Sequence, residues 1–365
     1  AHSPMERKTY RILDANFNRA REALRTMEEF CRFVLDDADL SARAKQIRHH
    51  LCDQIKNLDA ELLLAARDSE SDVGRTLVIP QPQQRQTLID CFLAAAKRAS
   101  EALRVLAEVS RLVCPAIAGP LEQERFEIYT LEKEVFCRLP AVRFRQVQLY
   151  VLIPAGENIP DSRTLELAKL CLEGGADALQ LRAKEISDIR FFRLAEQFAA
   201  LCKTYNRLSI INDRADIAAA AGADGVHLGQ EDLPIEKART LFSKPPLLGL
   251  TAHSESELRR AAAAGADYVS IGPCFPSPTK PNLPAAGLDY VRKALDILQN
   301  TQTAHAAIGG ITLENAPLLL NAGIRTLALS SAVCSSPDPL QTCRKFKEIF
   351  PPKPAETCYL DKTDT

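Results

Sequence analysis

The pattern of apolar and polar positions divides the chain into two halves written in different periods. Between residues 10 and 140 apolar positions recur at spacings of three and four, the repeat of helices that bury one face. Within this half "NRAREALRTMEEFCRFV" (18–34) and "KRASEALRVLAEVSRLV" (97–113) align without a gap, which is an internal repeat. Ala20, Ala23, Leu24 and Met27 in one copy, and Ala99, Ala102, Leu103 and Leu106 in the other, predict a single buried face. Arg21, Glu28 and Arg32, like Glu101, Arg104 and Glu108, fall mainly off that stripe and read as a solvated, ion-paired surface.

The period changes at "LPAVRFRQVQLYVLIP", where a Pro-containing connector runs into an apolar strand. A unit then recurs as "GGADALQLR" (174–182), "AGADGVHLG" (221–229), "AGADYVSIG" (264–272) and, more loosely, "NAGIRTLALS" (321–330). Each predicts a helix that ends at a glycine in the left-handed conformation, followed by a short apolar strand. With "QLYVLIP", "RLSIIND", "PPLLGLT" and "AHAAIGG" there are eight strand candidates alternating with helical stretches. The expected fold class is α/β, a TIM (β/α)8 barrel, preceded by a mainly α-helical domain with an internal repeat. The expected boundaries are a helical domain over 1–140, a barrel over 141–347 and a Pro-rich, flexible tail over 348–365.

Composition narrows the setting. A hydrophobic fraction of 46%, a charged fraction of 25% and a net charge of -1 over 365 residues describe a globular protein with no nucleic-acid surface. No apolar run reaches the roughly 18 to 20 residues that cross a bilayer, and "AHSPMERKTY" lacks a signal-peptide core, so no membrane partner and a cytoplasmic location are expected. Eleven cysteines without a C-x-x-C pair read as reduced, mostly buried thiols rather than as a zinc site or disulfide scaffold. The oligomeric state stays open, a homo-oligomer included.

In such a barrel the strands deliver their last residues to one face, and polar chemistry is concentrated there in "QLRAK", "NDR", "HLGQED", "LTAHS", "GPCFPSPTK", "IGG" and "LSS". Asp213 and Asp232 leave neighbouring strands, so their carboxylates can converge, and Mg2+ takes one or two carboxylates together with water and phosphate oxygens. Arg182, Lys184 and Lys280 supply the positive charge that a diphosphate needs. Gly309, Gly310, Ser330 and Ser331 end the last two strands, where barrels bind phosphate through backbone N–H groups. Each feature alone has an ordinary reading as well: Asp213 as a helix cap, Lys280 as a solvated loop residue, His227 and His253 as satisfied polar groups. Their conjunction on one face favours a site.

These motifs, in this order, make residues 147 to 340 resemble thiamin phosphate synthases. The resemblance implies a condensation of 4-amino-2-methyl-5-hydroxymethylpyrimidine diphosphate with thiazole phosphate, giving thiamin phosphate and pyrophosphate. It implies that Gln180, Arg182, Lys184 and Asn212, within the stretch Gln180, Leu181, Arg182, Ala183, Lys184, hold the pyrimidine diphosphate, and that Asp213 and Asp232 ligate Mg2+. It places Lys280 on the pyrophosphate, Thr251 against the pyrimidine, and Ser277, Pro278, Thr279, Gly310, Ser330 and Ser331 around the thiazole phosphate. Arg182, Lys184, Asn212 and Lys280 are the expected catalytic set. Ser277 stands where threonine is commoner and Thr251 where serine is, and both keep a hydroxyl. The rival reading is a regulatory or thiamin-binding barrel without the reaction.

The first 140 residues resemble an extension fused to some of these synthases, through "ILDANFNRAREALRTMEEFCRF", "RDSESDVGRT" and "RASEALRVLAEVSRLV". The resemblance implies phosphorylation of hydroxymethylpyrimidine phosphate with ATP. No G-x-x-x-x-G-K-[ST] loop is present. Gly74 and Arg75 of "DVGRT" fit a phosphate, and Arg67, Asp68 and Asp72 fit a metal site; a plain turn fits them equally. A kinase module and a docking or oligomerisation module both remain open.

Overall fold

The structure is a computed structural model, and it describes residues 3–68, 88–276 and 286–351. The chain divides into two compact units, Ala1–Cys137 and Arg138–Thr365.

The first unit is helical: α1 (Pro4–Phe33), α2 (Ala38–Ile55), α3 (Ala60–Ala65), α4 (Leu88–Ser110) and α5 (Ala118–Arg138). Ser3 opens α1 with a capping box, its hydroxyl accepting from the Glu6 N–H and the Glu6 carboxylate accepting from its own, with Pro4 as the first helical residue. The two repeat copies lie in α1 and α4, and all eight predicted stripe residues are buried in one core. The surface reading holds for Arg104, which pairs with Glu108 at 3.0 Å and Glu122 at 2.8 Å. It fails for Glu28, which is buried and held by Arg48 at 3.0 Å and Arg25 at 3.4 Å. A carboxylate one step off the stripe is tolerated there because two guanidiniums replace its water. Arg67, an expected metal-site residue, instead clamps buried Asp14 with two bonds of 2.8 and 2.6 Å, and Arg11 donates to the Asp68 carbonyl at 2.7 Å. Asp72, Gly74 and Arg75 lie outside the described residues.

The second unit is a closed barrel of parallel strands in the order β1 to β8. They are β1 (Leu149–Gly156), β2 (Ala178–Lys184), β3 (Leu208–Asn212), β4 (Gly225–Leu228), β5 (Leu247–Ala252), β6 (Tyr268–Ile271), β7 (Ala304–Ile308) and β8 (Leu327–Leu329). The expected glycine-terminated helices are present, with Gly175, Gly222, Gly265 and Gly323 all at positive φ.

The aspartate of each "GAD" motif has a structural task. Asp177 accepts the N–H groups of Gln148 and Leu149, Asp224 that of Ser209, and Asp267 that of Leu248, so each carboxylate ties down the start of the preceding strand. Alternate strand residues fill the barrel, and the interior pairs large with small. Tyr150 and Tyr268 are buried beside Phe144 of the short helix α6 (Pro140–Phe144), which stacks on Tyr268 with ring centroids 4.0 Å apart. Gly249 leaves the space that the Tyr268 ring occupies, since a Cβ there would overlap it.

Phe350 is still buried in the barrel's outer core, so the ordered chain runs past the expected end at 347; residues 352–365 lie outside the described residues. The described cysteines are all free, with Cys31, Cys171, Cys202, Cys274 and Cys343 buried. No helix among the described residues is long and apolar enough to cross a membrane.

Candidate active site

At the strand ends a cavity of about 160 Å³ opens among Gln180, Arg182, Asn212, Thr251, Gly310, Ser330 and Ser331, all expected site residues. Alternation along β2 explains which neighbours are missing. Gln180 faces the barrel interior, whereas Leu181 is buried in the outer layer and Ala183 packs against that layer, so neither offers the cavity a side chain. Lys184 ends β2 and is exposed. Ser277, Pro278, Thr279 and Lys280 lie outside the described residues.

Asp213 follows β3 at φ 63°, its N–H donating to the His227 carbonyl at 2.8 Å. It is therefore not a simple N-terminal cap of the following helix, Ala215–Ala220, whose cap position is Arg214. Burial and the hydrogen-bonded Asp232 carboxylate push the Asp213 carboxyl up to about 6, against the opposing charges of Arg182 and Lys184. The Oδ2 of Asp232 also accepts from the Gly229 N–H at 2.6 Å. The two carboxylates thus converge with two cationic side chains close by. No cluster of three or more His, Cys, Asp or Glu suited to a metal exists among the described residues.

The opposite wall is backbone. Gly309 and Gly310 sit at φ 98° and 62°, and a Cβ on Gly310 would overlap the carbonyls of Phe275 and Pro276, so only glycine lets these chains approach. Ser330 and Ser331 follow β8 at the start of the turn of helix Ser331–Cys334.

Part of the cavity wall is a polar layer that the sequence reading missed: Tyr150 and His227 line the cavity and Tyr268 joins them from behind. His227 is buried, with Nδ1 2.9 Å from Tyr268 Oη and Nε2 2.9 Å from Thr251 Oγ1. Tyr268 Oη is 2.9 Å from Tyr150 Oη, and Tyr150 in turn accepts from the Gln180 amide. The available signal was two tyrosines at inward positions of "LYVLIP" and "DYVSIG", which reads as apolar core until their hydroxyls are given partners. His253 is held by the Gly272 carbonyl at 2.7 Å, a satisfied polar group as the plain reading has it.

Fold and site together define a (β/α)8-barrel enzyme with its polar residues at the strand ends. Family models agree in both units: thiamine monophosphate synthase matches residues 149–333, and the ThiD2 family matches residues 11–134. The chain is 40% identical to the thiamine-phosphate synthase of Thermosynechococcus vestitus, over 92% of this chain and 93% of that one. It is 38% identical to that of Synechocystis sp., over 91% and 93%. The thiamine phosphate pyrophosphorylase of Pyrococcus furiosus covers 56% of this chain and 96% of its own, at 31% identity and a TM-score of 0.49. The chain belongs to the thiamine monophosphate synthase family.

Proposed function

We propose that the barrel joins the pyrimidine diphosphate to the thiazole phosphate, giving thiamin phosphate and pyrophosphate. The single observation that carries this reading is the convergence of Asp213 and Asp232 with Lys184 and Arg182, the last of which lines a cavity that also has glycine and serine residues in its wall. The C–O bond to the diphosphate breaks, negative charge grows on the leaving pyrophosphate, and the thiazole nitrogen forms the new C–N bond to the exocyclic carbon. The side chains of the site have no nucleophile to supply. Their work is to neutralise the leaving group in a site of low dielectric. Arg182 and Lys184 hold the diphosphate, Asn212 and Gln180 orient the pyrimidine, and Gly309, Gly310, Ser330 and Ser331 take the thiazole phosphate. Lys280 joins them by the resemblance alone.

The donor set fits magnesium. The Asp232 carboxylate raises the proton affinity of Asp213, a repulsion that a cation held by the pair would relieve, and a pair without a third His, Cys, Asp or Glu donor among the described residues would leave room for water and phosphate oxygens. Asp213 and Asp232 would hold it, and when bound it supplies charge to the departing pyrophosphate. The same reading makes this a cytoplasmic enzyme of small-molecule substrates.

For the helical unit we propose the ATP-dependent phosphorylation that supplies the barrel's pyrimidine substrate, on the strength of its family match. The full chain, given thiazole phosphate, magnesium and either the pyrimidine diphosphate or the monophosphate with ATP, is expected to make thiamin phosphate from both. Product from the diphosphate alone reduces the helical unit to a docking module; product from neither, in folded protein, overturns the synthase reading.

A further inference from the structure

We propose that Tyr150 and Tyr268 are positioning residues of a hydrogen-bond relay that fixes which face of the pyrimidine edge the cavity accepts. The proposal rests on the synthase reading for its ligand, an aminopyrimidine, but its core is a property of the free protein.

The relay has a direction. The Gln180 amide Nε2 donates to Tyr150 Oη, so the proton of Tyr150 goes to Tyr268 Oη at 2.9 Å. The proton of Tyr268 then goes to His227 Nδ1 at 2.9 Å, which makes Nε2 the protonated nitrogen of the ring. Nε2–H donates to Thr251 Oγ1 at 2.9 Å, with Ser270 Oγ a longer second contact at 3.4 Å. Burial keeps both phenols protonated, Tyr150 and Tyr268 alike being pushed above the ordinary tyrosine range.

Both ends of the relay line the cavity. At one end Gln180, almost wholly buried, has an Oε1 with no hydrogen-bond partner among the described residues. At the other, Thr251 accepts from His227 and keeps its own proton to give. The cavity therefore presents an acceptor at Gln180 and a donor at Thr251. A 4-aminopyrimidine offers the complement on one edge, an amino N–H and the unprotonated ring nitrogen beside it. A 4-oxopyrimidine offers the reverse, a carbonyl acceptor and a ring N–H. It fits only if the Gln180 amide turns over and every proton in the relay changes sides, because each link sets the next. Selection at the cavity thus depends on two tyrosine hydroxyls, one on a residue of its wall, Tyr150, and one on Tyr268 behind it.

Nitrogen-15 NMR of the histidine rings tests the direction, in the full chain, free and with the unphosphorylated aminopyrimidine alcohol, with His227 assigned by loss of its signals in His227→Asn. The expected result is protonated Nε2 and bare Nδ1 in both states; protonated Nδ1 overturns the proposal whether or not the enzyme turns over. Tyr268→Phe cuts the relay at a residue that does not line the cavity, and Tyr150→Phe cuts it at one that does. Each is expected to lower the kcat/KM preference for the 4-amino over the 4-oxo diphosphate by about tenfold, the scale of one hydrogen bond to a reading group, with KM for thiazole phosphate unchanged. Phe144→Leu touches both rings and no hydrogen bond, and serves as the packing control. A preference that falls no further in the tyrosine variants than in this control overturns the proposal. A wild type that shows the expected tautomer and makes no product leaves the relay standing and removes the synthase reading.

Discussion

Gly249→Ala is the sharpest test of how the barrel interior is built. The added methyl would fall on the Cζ, Cε1 and Oη atoms of Tyr268. That ring has no exposed surface to retreat to, and Phe144 already stacks on it at 4.0 Å. Forcing an extra carbon into such a layer costs about 1–3 kcal/mol. Displacing the phenol also strains its bonds to Tyr150 and His227, each worth about 1 kcal/mol. The sum, about 3–5 kcal/mol, is a large part of the roughly 5–15 kcal/mol that holds a domain together. For a unit of this size it lowers the melting temperature by roughly 6 to 20 °C. Urea unfolding of the barrel transition, followed by circular dichroism, measures it, with Tyr268→Leu as the partner in a double-mutant cycle. The alanine is expected to cost far less when leucine has made room. A cost below about 0.5 kcal/mol in the parent, or strict additivity in the double variant, would refute the account of the interior.

The remaining predictions concern charge. Burial and the nearby Arg325 charge push His305 down from 6.5 to about 4, and its Nε2 accepts from the Arg325 N–H at 3.3 Å. Between those pH values the unfolded chain binds a proton that the folded one does not. Stability is therefore full above about pH 6.5 and falls as pH drops toward 4, by about 3 kcal/mol in all. His305→Gln is expected to flatten that part of the stability profile, and an unchanged slope would exclude His305 as its source. Arg182→Ala removes a guanidinium from the cavity wall and is expected to raise KM for the pyrimidine diphosphate by about 10- to 100-fold, the worth of a charge-assisted hydrogen bond. Binding of the unphosphorylated pyrimidine should stay within about threefold; an equal loss for both ligands would place Arg182 on the ring and not on the phosphates.

Much of this molecule was legible in its sequence, for identifiable reasons. Ala20 to Met27 and Ala99 to Leu106 kept the helical period because apolar residues recur at spacings of three and four along their buried face. The barrel announced itself through Gly175, Gly222 and Gly265, whose positive φ no other residue holds cheaply. Asp213 and Asp232 were findable because strand order puts the ends of β3 and β4 side by side. What stayed hidden depends on partners far away in the chain. Asp177, Asp224 and Asp267 look like loop acids until the strand starts they tie down are in place. Tyr150 and Tyr268 are 118 residues apart, and only barrel closure makes their hydroxyls meet. Glu28 became a buried ion because Arg48 arrives from α2, which a helical wheel of α1 does not contain.

In the function proposed above, Asp213 and Asp232 act as a magnesium-dependent pair in thiamin phosphate synthesis. The most direct measurement is thiamin phosphate formed by the full chain across a magnesium titration, beside Asp213→Ala, Asp232→Ala and the double variant. Product is expected to rise with magnesium, to vanish under chelation, and to fall by orders of magnitude in each single variant with little further loss in the double. Undiminished product from the folded double variant, or synthesis that ignores chelation, would contradict that role.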